Sequence, residues 1–141
     1  MFEYHGWVTI RETATAEDGD WAEEQARLRA IVAGIEERAR ELSGPCLLDV
    51  RWMNGEPYLH LGGSCNHRDP GVLAFFREVG ERAPGSYGVL HVRDDEDAEG
   101  AEDAEGRGNE LRAHRMVRGR VAEGAEAELS PCIPVLEDPW E

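Results

Sequence analysis

Leu47-Leu48-Asp49-Val50-Arg51-Trp52-Met53, then Asn54-Gly55, then Glu56-Pro57-Tyr58-Leu59-His60-Leu61 reads as a β-hairpin. Two half-alternating runs flank a dipeptide whose residues both tolerate positive φ, the requirement of a two-residue turn. The turn sets the register. With Met53 opposite Glu56, Val50 falls opposite Leu59 and Leu48 opposite Leu61, so these four apolar side chains share one face. Asp49 opposite His60 and Arg51 opposite Tyr58 then share the other. A slip of one residue would move the whole apolar set to the wrong side. Turn chemistry and hydrophobic pattern therefore agree on one pairing.

Upstream of the hairpin, Leu28, Ile31, Val32, Ile35, Ala39 and Leu42 recur at helical spacing. Asp20 stands in N-cap position with Glu23 three residues on, and Ser43-Gly44-Pro45 stops the helix. Further back, Tyr4 to Arg11 reads as a first strand, with Tyr4, Gly6, Val8 and Ile10 on one face and His5, Trp7, Thr9 and Arg11 on the other. Downstream, Asp69-Pro70 opens a second helix as N-cap and first helical residue. Val72, Leu73, Phe75, Phe76 and Val79 form its stripe, and Pro84-Gly85 ends it. Tyr87 to Arg93 is a fourth strand. Glu110 to Arg118 is a fifth, with Leu111, Ala113 and Val117 expected on one face. Pro131 and Pro134 reduce the stretch from Leu129 to Leu136 to an irregular edge strand at best, covering the sheet edge.

The order β-α-β-β-α-β-β predicts an α+β fold of the ferredoxin-like split βαβ kind, an antiparallel sheet with two helices on one face. A mixed α/β sheet is the alternative. At 141 residues the chain has the length of one domain, 1–141, and buries roughly two-thirds of its unfolded surface without help from metal or disulfides. An acidic loop, 94–108, and a tail, 123–141, lie within that domain. No apolar run approaches the ~18 residues of a membrane span, and Met1-Phe2-Glu3-Tyr4 lacks the basic and apolar regions of a secretory signal. A cytoplasmic location is expected. Cys46, Cys65 and Cys132 form no paired motif and read as reduced thiols.

Charge is the most informative bulk property. The chain carries 15 basic residues, all Arg, against 30 acidic ones, a net charge of −15. Such a balance repels nucleic acid and anionic membrane surfaces, so neither is expected as a partner. Twenty of the acids lie in three stretches without a single Arg: Glu12 to Glu24, Asp94 to Glu105 and Glu123 to Glu141. The remainder is mildly basic. Gathered on one side, these segments would steer a basic partner.

The chain offers little to catalysis. It has no phosphate-binding glycine loop and no nucleophile elbow. The run from Asp95 has Asp97 and Gly100 where a calcium loop needs them, but Glu99 at the fifth position and Gly106 at the twelfth, where a bidentate Glu is required. His60, Cys65 and His67 have no fourth ligand nearby and no recognised zinc spacing. Cys65 or Ser64 beside a His is the weak remaining route to a small hydrolase. No enzyme activity, cofactor or metal is predicted.

Four stretches carry a resemblance: Glu3-Tyr4-His5-Gly6-Trp7-Val8-Thr9-Ile10-Arg11, Asn66-His67-Arg68, Pro84-Gly85-Ser86-Tyr87-Gly88-Val89-Leu90-His91-Val92-Arg93-Asp94-Asp95-Glu96-Asp97 and Ser130-Pro131-Cys132-Ile133-Pro134-Val135-Leu136-Glu137-Asp138. In order and spacing they resemble the immunity protein 7 family of bacterial polymorphic-toxin systems. The Ala- and Glu-rich stretch from Ala98 to Gly108 departs from that pattern. The resemblance implies a non-enzymatic protein that binds and blocks a cognate toxin domain encoded by a neighbouring gene, with no family-wide catalytic residues to carry over. A basic nuclease is the toxin class that the charge suits. Asp94, Asp95, Glu96, Asp97 and Glu99, leaving a strand together, are the expected toxin contacts. Trp7 is a further candidate, although packing under a helix or against the tail would also account for it. The alternative is an acidic protein-binding module with another partner.

Overall fold

A computed structural model of the chain describes residues 1–14, 19–42, 44, 46–98 and 110–125. β1 (Phe2–Thr9) is followed by α1 (Trp21–Leu42), β2 (Leu47–Met53), β3 (Glu56–Cys65), α2 (Pro70–Arg82), β4 (Tyr87–Asp94), a single 3-10 turn (Asp95–Ala98), β5 (Arg112–Val117) and β6 (Arg120–Ala125). The strands form one sheet in the order β2-β3-β1-β4-β5-β6, antiparallel at every joint. The fold is α+β, as expected, with six strands in place of five.

The hairpin has the register its turn dictates. Met53 pairs with Glu56, Val50 with Leu59 and Leu48 with Leu61, and Asn54 (φ 53°) and Gly55 (φ 80°) supply the two left-handed turn residues. α1 begins at its cap, where the Asp20 carboxylate accepts from the Ala22 amide at 2.9 Å. α2 does the same through Asp69 and the Gly71 amide, also at 2.9 Å, with Pro70 in the first turn. Val32, Ile35 and Ala39 of α1 and Val72, Phe75, Phe76 and Val79 of α2 join Phe2, Tyr4, Val8, Leu59, Leu61, Leu90, Val92 and Met116 of the sheet in one buried cluster. Fully burying each of the larger side chains contributes about 1.5–3 kcal/mol.

Two expectations for the C-terminal half are corrected. Residues 120–125, placed partly in the tail, form β6. They pair back on β5 through a turn at Arg118 (φ 50°) and Gly119 (φ 71°), which repeats the backbone conformation of Asn54-Gly55. Ala113 and Val117 of β5 do share one face, but it is not the face that meets the helices, although Ala113 is buried. Met116 is in the core and His114 is buried beside it, whereas Val117 is 50% exposed. The parity is fixed by β4, since core-facing Leu90 pairs with His114, and the local apolar count of β5 is too even to resist. The expected strand at 129–136 lies outside the described residues.

Backbone contact locks the new hairpin onto α2. A Cβ added at Gly80 would lie 2.3 Å from the Gly119 carbonyl oxygen, so helix and turn approach as only glycine permits. The Gly119 amide also donates to the Ser86 carbonyl at 2.8 Å.

Candidate functional site

β4 delivers its acidic run to the end of the sheet where β1 begins. Asp94 is the last residue of the strand, opposite Phe2. Its side chain is 2% exposed and accepts from Arg68 Nε at 2.6 Å. Its other oxygen accepts from the Glu96 amide at 3.0 Å, an Asx-type bond that starts the 3-10 turn. Asp95 pairs with the N-terminal amine of Met1, and its own amide donates to the Met1 carbonyl at 3.2 Å. Glu96 bonds His67 Nδ1 at 2.6 Å. The acids thus form a folded cap that ties the end of β4 to the start of β1 and to the β3–α2 connection.

Of the residues singled out from sequence, the structure brings Asp94, Asp95 and Glu96 together and sorts them. Asp94 is buried. Asp95 and Glu96 are exposed. The Asp97 backbone belongs to the same turn, its side chain lies outside the described residues, and so does Glu99. Trp7 stands apart, on the sheet face opposite the helices. It is 40% exposed and meets the Tyr87 ring edge-on at 6.1 Å between centroids, rather than packing under a helix.

Sequence reasoning missed the partners, His67 and Arg68. Their signal was Asn66-His67-Arg68, a family-like stretch in which His67 was weighed only as a metal ligand or hydrolase residue and Arg68 not at all. His114 was likewise missed. It is 4% exposed, and its Nδ1 has no hydrogen-bond partner among the described residues. It lines a hollow of about 300 Å³ with Phe2, Arg68, Asp94, Arg112 and Glu123. Burial holds its imidazole below the usual histidine range, with Glu123 opposing and Arg77 and Arg112 adding to the depression.

The remaining chemical candidates do not converge. His67 is engaged with Glu96 and its side chain is 83% exposed. Burial pushes the Cys65 thiol up, and neighbouring Cys46 adds to the shift, the reverse of what an activated nucleophile needs. Among the described residues, no group of three or more His, Cys, Asp or Glu could hold a metal ion, and no helix is long and apolar enough to cross a membrane.

The profile of one family, Immunity protein 7, matches residues 1–138 of the 141. The chain belongs to the Immunity protein 7 family. No curated relative and no solved structure matches it. Membership makes this an immunity protein of toxin systems, a class that works by binding a cognate toxin. For an immunity protein the informative features are surfaces, and the geometry presents two: the acidic cap and the sheet face around Trp7.

Proposed function

We propose that this chain neutralises a cognate toxin domain, encoded by a neighbouring gene, by binding it and occluding its active site or an adjacent exosite. The action is stoichiometric and non-enzymatic, and takes place in the cytoplasm of the producing cell. The family match over nearly the whole chain carries the reading. The charge of −15 adds a preference for a basic toxin, of which a nuclease is the natural class, because opposite fields accelerate encounter.

In this reading Asp95, Glu96, Asp97 and Glu99 meet cationic groups of the toxin, Asp94 holds the cap in shape from beneath, and Trp7 supplies an aromatic anchor. Acidic loop and tail belong to the same single domain. The inner strands β2-β3-β1-β4, with a helix after β1 and another after β3, support the ferredoxin-like split βαβ arrangement, to which the β5–β6 hairpin is an extension.

The test is a calorimetric titration against the neighbouring toxin domain at low and high salt. One-to-one binding at nanomolar affinity, weakened by salt, with activity lost in proportion to added protein, is the expected result. Absence of binding at micromolar concentrations with both proteins folded sinks the reading.

A further inference from the structure

The helices α1 and α2 cover one face of the sheet; the other carries no helix among the described residues and is built like an interface. Pairing aligns its side chains in rows. One row runs His60, Trp7, Val89, Arg115 across β3, β1, β4 and β5. The next runs Arg51, Tyr58, Thr9, Tyr87 across β2, β3, β1 and β4, and Val117 pairs with Arg120 at the far edge. Trp7 and Tyr87 are stacked edge to face, and the Arg11 guanidinium lies 5.4 Å from the Tyr87 ring centre. Trp7, Tyr87 and Val117 are 40%, 39% and 50% exposed. An aromatic centre with an arginine rim is the composition in which binding energy concentrates.

The charge of this face opposes that of the whole chain. Its three carboxylates are all engaged locally: Asp49 with Arg51 at 2.6 Å, Glu56 with Arg11, and Glu3 beside His5 at 3.4 Å. Arg115 and Arg120 are exposed and, among the described residues, have no ion-pair partner. In a protein with 30 acids, the uncompensated charge here is positive.

We infer that the helix-free sheet face, centred on Trp7, seats the toxin, and that the toxin surface it fits has an apolar hollow for Trp7 with carboxylates opposite Arg115 and Arg120. This rests on the toxin-binding reading above and deepens it. The acidic cap lies beyond the Glu3 end of the same face, two alternate residues from Trp7 along β1, so one interface of ordinary size, about 800 Å² per partner, reaches both. The cap steers a basic toxin while the sheet face holds an acidic part of its surface.

The test measures affinity for the neighbouring toxin domain with the full chain and three variants: Trp7→Ala, Trp7→Phe and the double variant Arg115→Glu/Arg120→Glu. All are checked for unchanged melting, as the residues are exposed. Trp7→Ala is expected to lose about 30-fold or more, Trp7→Phe to retain most of the affinity, and the double reversal to lose about 10-fold. If Trp7→Ala and the double variant bind as tightly as a wild-type protein that does inhibit the toxin, the sheet face is not the seat, and the immunity reading stands without it. If the wild type neither binds nor inhibits, the immunity reading itself fails, and this inference with it. Self-association of the wild type abolished by Trp7→Ala, or Trp quenching by a single-stranded oligonucleotide, with toxin affinity unchanged in the variants, would assign the face to another occupant and overturn the proposal.

Discussion

The carboxylate of Asp94 lies under the guanidinium of Arg68, 2.6 Å from its Nε, with one partner almost wholly buried and the other half in water. The arrangement is unequal, and it decides how the acidic run is used. Arg68 can turn to solvent if its partner is lost, whereas Asp94 cannot. Asp94→Ala removes both the ion pair and the acceptor for the Glu96 amide, and is expected to cost about 2–3 kcal/mol. Asp94→Asn keeps one acceptor and is expected to cost about 1–2 kcal/mol, below the loss for a fully buried pair because Arg68 stays hydrated. Urea unfolding of the two variants reads the difference. Equal stability of wild type and Asp94→Ala would show that the cap is not held from beneath.

Asp95 and Glu96 are exposed, so reversing them tests steering rather than folding. In Asp95→Lys/Glu96→Lys the association rate with the toxin domain is expected to fall about 10-fold at low salt and much less at high salt. Stability should change by under about 1 kcal/mol, since surface pairs contribute little. Stopped-flow kinetics at two ionic strengths separates the effects. A loss appearing only in the dissociation rate would place these residues in a tight contact instead.

His114 makes stability depend on pH. The unfolded imidazole takes its proton near pH 6.5, and burial holds the folded one lower. As pH falls through about 6.5 the unfolded chain binds the proton first, so unfolding is favoured until folded His114 protonates too. Between pH 7.5 and 5.5 the melting temperature of the wild type should therefore drop relative to that of His114→Gln. Carboxylate repulsion easing on acidification affects both proteins alike, so the comparison isolates the histidine. Parallel profiles would mean that His114 is solvated after all.

Arg118 adopts φ 50° at the first position of the β5–β6 turn, where a side chain other than Asn, Asp or Gly is strained. Arg118→Asn recreates the Asn-Gly pair of the first hairpin and is expected to stabilise the fold by about 0.5–1 kcal/mol, readable as a raised melting temperature. No gain would indicate that the Arg118 side chain compensates for its backbone.

That turn also explains which parts of the fold were legible. The register of the β2–β3 hairpin was readable to the residue because its turn and its apolar alternation specify the same pairing, although β3 runs on to Cys65, past the Leu61 at which the sequence reading ended it. The caps Asp20 and Asp69-Pro70 were readable because local hydrogen bonding acts within three residues. β6 was not, since Arg120-Val121-Ala122-Glu123-Gly124-Ala125 is poor in strand-forming residues and its turn opens with Arg where Asn is the usual signal. Only pairing with β5 makes it a strand. Which face of β5 meets the helices was not readable, because β4 sets it. At the acidic cap, the run from Asp94 was visible, but its division into a buried pin and exposed acids was not. That division depends on Arg68, 26 residues away in sequence, and on the N-terminal amine of Met1.

The outermost strands described, β2 and β6, have a consequence for how the protein behaves in bulk. A free strand edge is a template for polymerisation, and charge or brevity is what blunts it. β6 is only six residues long and carries Arg120 and Glu123. β2 carries Asp49 and Arg51. If the protein neutralises its toxin mole for mole, as proposed above, it must be stored at least in that proportion. Short or charged strands at both described borders of the sheet work against edge-to-edge pairing at that level.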